Sequence, residues 1–173
     1  MNANITIRLA EAGDAHGIAV MSRDHIESGL GWKYDAPRIT RAIRNRDMVV
    51  LAATEPDGRH DALRGFAAME FGDERAHLTL LAVQPAHRRR GIGSSLVDWL
   101  VESALTAGIA SIHLELRAGN QAAKRFYRAQ GFSDTVLVPR YYGGRESALR
   151  MIRILRSPGP LPLAWRPPGL GQK

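Results

Sequence analysis

Apolar residues first fall on every second position, at Ile5, Ile7 and Leu9, and then at roughly helical spacing, at Ile18, Met21 and Ile26. A period of two lines one face of a strand, and a period near 3.6 lines one face of a helix. The pattern therefore predicts a strand over 5–9 and a helix after it, with Asp14 as its candidate N-cap. Gly29-Leu30-Gly31 ends that helix. Pro37, followed by Ile39 and Ile43, predicts a second short helix running to about Arg46.

The middle of the chain reads as three antiparallel strands. Met48 to Thr54 and Leu63 to Phe71 flank the turn Pro56-Asp57-Gly58, and His77 to Val83 follows Gly72-Asp73-Glu74. Ile92, Leu96, Leu100 and Val101 then recur as the buried stripe of a helix from about Gly91 to Ala107, which Gly108 stops. Ser111 to Arg117 alternates again, with Ile112, Leu114 and Leu116 on one face and His113, Glu115 and Arg117 on the other. A helix carrying Ala123, Phe126 and Tyr127 opens at Gly119 or Asn120 and ends at Gly131. Phe132 to Val138 and Ser147 to Leu155 are the last two strands, around a loop from Pro139 to Gly144. The order β-α-α-β-β-β-α-β-α-β-β predicts an α/β (α+β) domain, a mixed sheet flanked by helices, over residues 1–156. From Ser157 prolines and glycines preclude regular structure, and 157–173 is predicted to be an extended or disordered tail.

Composition narrows the chemistry. At 173 residues, with 45% hydrophobic and 24% charged residues, the chain suits one globular domain. No run of about 18 apolar residues is present, and the N-terminus lacks the basic-then-apolar order of a signal peptide, so the expectation is a cytoplasmic protein without membrane contact. The absence of cysteine excludes disulfides and any thioester intermediate on the protein. A net charge of +7 suits a polyanionic ligand, an acidic partner or nucleic acid. His87-Arg88-Arg89-Arg90 lacks interleaved aromatics, which disfavours nucleic acid. His16, His25, His60, His77 and His87 show no ligand spacing, and no metal is expected.

The most informative segment runs from Val83 to Leu96, where an apolar strand enters a basic, Gly-containing turn and a helix follows at once. Gly91 and Gly93 remove side chains where a backbone would approach a ligand. The free N–H groups and positive end of the helix, with Arg88, Arg89 and Arg90, make an anion site suited to a phosphorylated ligand. Arg88-Arg89-Arg90-Gly91-Ile92-Gly93 resembles the signature of the GNAT acetyltransferases, an Arg or Gln followed by x-x-Gly-x-Gly. The stretch Leu114-Glu115-Leu116-Arg117-Ala118-Gly119-Asn120, continuing through Phe126-Tyr127 to Gly131-Phe132, resembles their second signature. Glu115 to Asn120, and Tyr141-Tyr142 with the following Gly144-Arg145-Glu146, are similar to the subgroup of bacterial ribosomal-protein alanine N-acetyltransferases.

The resemblance implies a GNAT fold, with a mostly antiparallel sheet of six to seven strands and about four helices, and acetyl-CoA as cosubstrate. It implies that the amides from Arg89 to Ser94 cradle the pyrophosphate, that the edge Leu81-Ala82-Val83 pairs with the pantetheine, and that Asn120 holds a carbonyl or a coenzyme amide. Asn120 equally suits a plain N-cap. Tyr127 becomes the acid that protonates the departing thiolate, because a phenol near pKa 10 can donate to a thiolate near 8.5. A primary amine is mostly protonated at neutral pH, so a base is needed. Glu115 takes that role, directly or through water, against the alternative of a strand carboxylate paired with Arg117 or His113; His113 is the reserve base. Tyr141 and Tyr142, in a loop over the acceptor, and Trp32 and Tyr34 are the candidate acceptor contacts. The expected acceptor is a protein N-terminal α-amine. The alternatives are a small-molecule amine and a coenzyme A-binding sensor without turnover.

Overall fold

The computed structural model describes residues 4–156; the predicted tail, 157–173, lies outside the described residues. Seven strands form one sheet: β1 (Thr6–Leu9), β2 (Met48–Asp57), β3 (His60–Phe71), β4 (Arg75–Val83), β5 (Ser111–Arg117), β6 (Ser133–Tyr142) and β7 (Glu146–Ile154). Their spatial order is β1-β2-β3-β4-β5-β7-β6. Every pairing is antiparallel except β4 with β5. The four helices among the described residues are α1 (Ala15–His25), α2 (Ala36–Arg44), α3 (Ile92–Thr106) and α4 (Gln121–Ala129). The predicted order of elements holds throughout.

Alternation along the strands divides the core into two layers. Leu51, Ala53, Ala67 and Met69 face the stripe Ile92, Leu96, Leu100 and Val101 of α3. Val50, Ala52, Phe66 and Ala68 face Ile18 and Ala19 of α1 and Ile39 of α2. At about 25 cal/mol per Å² of apolar area, both layers are substantial.

Strand β4 changes face partway along. Ala68 pairs with Leu80 and Met69 with Leu78, so Thr79 is an extra residue, a β-bulge whose hydroxyl donates to the Ala68 carbonyl at 2.9 Å. Before the bulge, Ala76 and Leu78 face the α3 layer; after it, Leu80 and Ala82 face α1. The parallel pairing of β4 with β5 stops two residues before the bulge and joins only Arg75 to Ser111, Ala76 to Ile112 and His77 to His113. Beyond His77 the two strands diverge and the sheet splits.

Several boundaries differ from the sequence reading. The β2–β3 hairpin extends to Asp57 and His60, leaving Gly58 and Arg59 as the turn, with Gly58 at φ 65°. Asp14 does not cap α1: its carboxylate binds Arg8 at 2.7 Å and the Glu11 N–H at 2.7 Å. Tyr141 and Tyr142 end β6 and lie outside the tight turn, because the strand carries on past Arg140, at φ 54°, through a register shift between Val138 and Tyr142.

Candidate active site

The turn between β4 and α3 holds two residues in left-handed backbone, Arg89 at φ 63° and Gly91 at φ 81°. That alternation turns successive amides toward one point, as in the backbone nests that bind anions. The first backbone bond of α3 runs from the Ser95 N–H to the Gly91 carbonyl at 2.9 Å. Among the described residues the amides of 89–94 have no backbone partner outside the helix. Gly91 has open space where a Cβ would stand, as a backbone approached by a ligand requires. Gly93 has a different reason. A Cβ there would lie 3.2 Å from the Phe126 ring, so this glycine lets α3 pack on α4.

The side chains of the turn divide the work. Arg88 donates through Nε to the Val83 carbonyl at 3.0 Å, which anchors its guanidinium on the end of β4. Arg89 and Arg90 are exposed, and Ile92 is buried in the core. Ser94 accepts a hydrogen bond from Gln130, the residue after α4, at 2.9 Å. Leu81, Ala82 and Val83 pair with β3 on one side, and their other edge has lost β5. Asn120 caps α4 by accepting from the Ala123 N–H at 3.0 Å. The cradle and the free strand edge together fit a pyrophosphate carrying an extended amide chain.

Tyr127 is buried between Phe126 and Phe132, whose rings meet its own edge-on at 5.0 and 5.6 Å. Burial pushes its phenol well above the ordinary range, with Tyr142 adding to the effect. Such a phenol stays protonated at neutral pH, so it can serve as an acid and not as a base.

Glu115 has different partners from those the strand pattern offered. Its Oε2 meets Nε2 of His77, across the point where β4 and β5 part, and its Oε1 accepts from Arg150 Nε at 3.2 Å. The His77 hydrogen bond, then the charges of His77 and Arg150, hold the Glu115 carboxyl below the usual range, against the opposing effect of burial. His77 moves up for the reciprocal reason. His113 is hydrogen-bonded to Ser111 at 2.9 Å, and burial with Arg75 and His77 nearby keeps it below its usual range. A strand pattern cannot show a bond between residues 38 apart in sequence; the His77–His113 register does.

On the acceptor side, Arg117 donates to Glu146 at 2.9 Å and to the carbonyls of Ile26 and Ser28 at 3.2 and 2.5 Å, tying the α1–α2 connection to β5 and β7. Buried Glu27 accepts from Ser22, from the Lys33 N–H at 2.7 Å and from the Tyr34 N–H, which fixes the return of that connection. Tyr34 and Glu115 both act on the hydroxyl of Tyr141. Tyr142 is pushed up to about 12, chiefly by burial, with Tyr141 and Glu115 adding to it. The rings of Tyr141 and Tyr142 meet edge-on at 4.9 Å, and Tyr34 lies against the Arg38 guanidinium at 4.6 Å. Trp32 stands apart, exposed beside the Arg23 guanidinium at 5.5 Å. Sequence reasoning offered Arg117 only as a partner for Glu115 and did not single out Glu27, His77 or Arg150 as neighbours of these residues.

Comparison with known proteins follows the same lines. Residues 21–132, well over half of the chain, match the profile of the Acetyltransferase (GNAT) family. The ribosomal protein bS18-alanine N-acetyltransferase of Escherichia coli (strain K12) is 34% identical over 92 residues, 51% of this chain and 62% of that protein. The match thus spans less than two thirds of that relative's length. A crystal structure of the ribosomal-protein-S18-alanine N-acetyltransferase from Escherichia coli superposes with a TM-score of 0.71 at 26% identity, over 90% of this chain and 96% of that one. Arabidopsis thaliana NAA60 in complex with acetyl-CoA shares the fold, with a TM-score of 0.77 at 18% identity, over 88% of this chain and 99% of that one.

Proposed function

Because the chain belongs to the GNAT acetyltransferase family, we propose that it is an N-acetyltransferase that moves an acetyl group from acetyl-CoA directly to a primary amine, with the α-amine of a protein N-terminus as preferred acceptor. Acetyl-CoA supplies the activated acetyl thioester and the thiol leaving group. The amides of 89–94 hold its pyrophosphate, and the β4 edge at Leu81 to Val83 aligns its amide chain. The acceptor arrives as an ammonium and gives one proton to Glu115, directly or through water. The freed lone pair forms the C–N bond, the C–S bond breaks with its electrons on sulfur, and Tyr127 donates its proton there. The second amine proton restores the phenol. The balance is one amide, one thiol and one proton released.

The observation that carries this reading is the turn at 89–94, whose left-handed residues and unpartnered amides open beside the edge of β4 that β5 has left. The low pKa of Glu115 also supports the acceptor class. A weak base suits an α-amine, at about 7.7–8.0, better than a lysine near 10.4, whose deprotonation costs roughly 3.5 kcal/mol more at about 1.36 kcal/mol per unit. The name of the bacterial relative, an alanine N-acetyltransferase acting on a ribosomal protein, points the same way.

The test is mass spectrometry after incubation with acetyl-CoA and a panel of N-terminal peptides, lysine peptides and small amines. Acetylation at the α-amine is the expected result. Product on small amines alone would overturn the acceptor, and tight coenzyme A binding with no product would overturn the reaction.

A further inference from the structure

Glu115 makes an incomplete base. Both of its oxygens are occupied, Oε2 by His77 and Oε1 by Arg150. A carboxylate between two such donors gains little by taking a proton and holds it poorly. Its partner is differently placed. The imidazole of His77 sits at the last residue of the parallel β4–β5 pairing, and its side chain is 42% exposed. It also lines a solvent-open hollow of about 290 Å³ with Glu70, Arg75 and His113. One end of the His77 ring therefore touches the proposed base, while the ring also borders water away from the acceptor contacts.

We propose that His77 and Glu115 form one proton-accepting unit, in which His77 orients the carboxylate and relays the amine proton to solvent through the hollow. The inference rests on the acetyl-transfer reading above. The unit starts as carboxylate and neutral imidazole. With the neutral ring protonated on Nδ1, one proton leaves the ammonium and passes over Glu115 to Nε2, giving carboxylate and imidazolium; the imidazolium then returns its Nδ1 proton to water, with no change of electrons. Arg150 keeps Glu115 in its ionised form, so the proton passes on to the ring. Glu70 of β3, Arg75 of β4, Glu115 and His113 of β5 and Arg150 of β7 are the titratable and charged groups around the ring; the two carboxylates favour imidazolium, and Arg150 opposes it. His77 is a positioning residue in this scheme, since it acts through Glu115.

Two measurements decide the matter. The first is the pH dependence of kcat/KM for a peptide α-amine in wild type and in His77→Gln, where glutamine keeps a donor toward Glu115 and cannot carry the proton. His77→Gln should lose about tenfold or more in kcat, less than the roughly 10²–10⁴-fold of a full acid or base because Glu115 remains. The KM for acetyl-CoA should hold, and the acidic limb of the profile should move. The second measurement needs no turnover: NMR titration of the His77 ring in wild type and in Glu115→Gln. The ring should titrate above 6.5 in wild type and fall when the carboxylate is removed. A His77→Gln enzyme with the wild-type rate and profile overturns the relay. An unchanged His77 titration in Glu115→Gln overturns the unit itself. Failure of wild type to acetylate any amine on the panel defeats the acetyl-transfer reading, and the relay with it.

Discussion

At neutral pH a phenol in water is already almost wholly protonated, and the burial of Tyr127 against Phe126 and Phe132 removes the residual phenolate. Its proposed task is to meet charge that develops on sulfur, so its loss should appear in the chemical step. Tyr127→Phe should lower kcat by about 10²-fold or more with little change in the KM for acetyl-CoA, as steady-state kinetics would show. The same ring cluster sets a limit at Gly93, where a Cβ would stand 3.2 Å from Phe126. Gly93→Val should cost roughly 1–3 kcal/mol through overpacking, read as a lower urea midpoint at constant m-value. Gly91 is constrained by its φ of 81°, not by space, so the two glycines of one motif answer to different physics.

At the scale of elements, the α1–α2 connection is held from two sides. Glu27 gathers the Ser22 hydroxyl and the Lys33 and Tyr34 amides from within, and Arg117 pulls the carbonyls of Ile26 and Ser28 toward β5 from outside. The connection carries Tyr34 to the β6–β7 end, where Leu30 also approaches Gly143. If these elements form the acceptor wall, loosening them should affect the acceptor more than the coenzyme. Arg117→Met keeps much of the side-chain bulk and removes the donors. It should raise the KM for a peptide amine severalfold and leave the KM for acetyl-CoA unchanged. Equal changes in both would remove Arg117 from the acceptor side.

Across the whole molecule, stability and the proposed chemistry pull the Glu115–His77 pair in opposite directions. The folded pKa of Glu115 lies below its unfolded value of 4.5, so its contribution is complete above that value and lost as pH falls through the folded pKa. The folded pKa of His77 lies above 6.5, so its contribution is complete below 6.5 and lost as pH rises through the folded pKa. The pair stabilises the fold most between about 4.5 and 6.5, whereas a proton-accepting imidazole is neutral at higher pH. The difference in urea midpoint between wild type and Glu115→Gln should therefore be largest between pH 4.5 and 6.5 and shrink on either side. A flat difference would mean that the pair does not couple to folding.

The sequence by itself determined the order of elements, because hydrophobic period, turn residues and helix stops are local properties that neighbouring residues express together. It also determined the basic turn at the start of α3, since Arg88 to Ser94 is one continuous segment running into one helix. Hairpin ends and the reach of β6 were less legible, because Pro56 and Pro139 look like breaks until a partner strand pairs around them. The face change in β4 was hidden altogether. Leu78 to Val83 is apolar whether or not Thr79 is bulged, and only pairing with Ala68 and Met69 shows the extra residue. The bulge follows the end of the parallel pairing at His77, beyond which the sheet splits and the β4 edge is free. The tertiary structure alone decided which charges surround the proposed base, because residues 38 and 35 apart in sequence meet only once the register of β4, β5 and β7 is set.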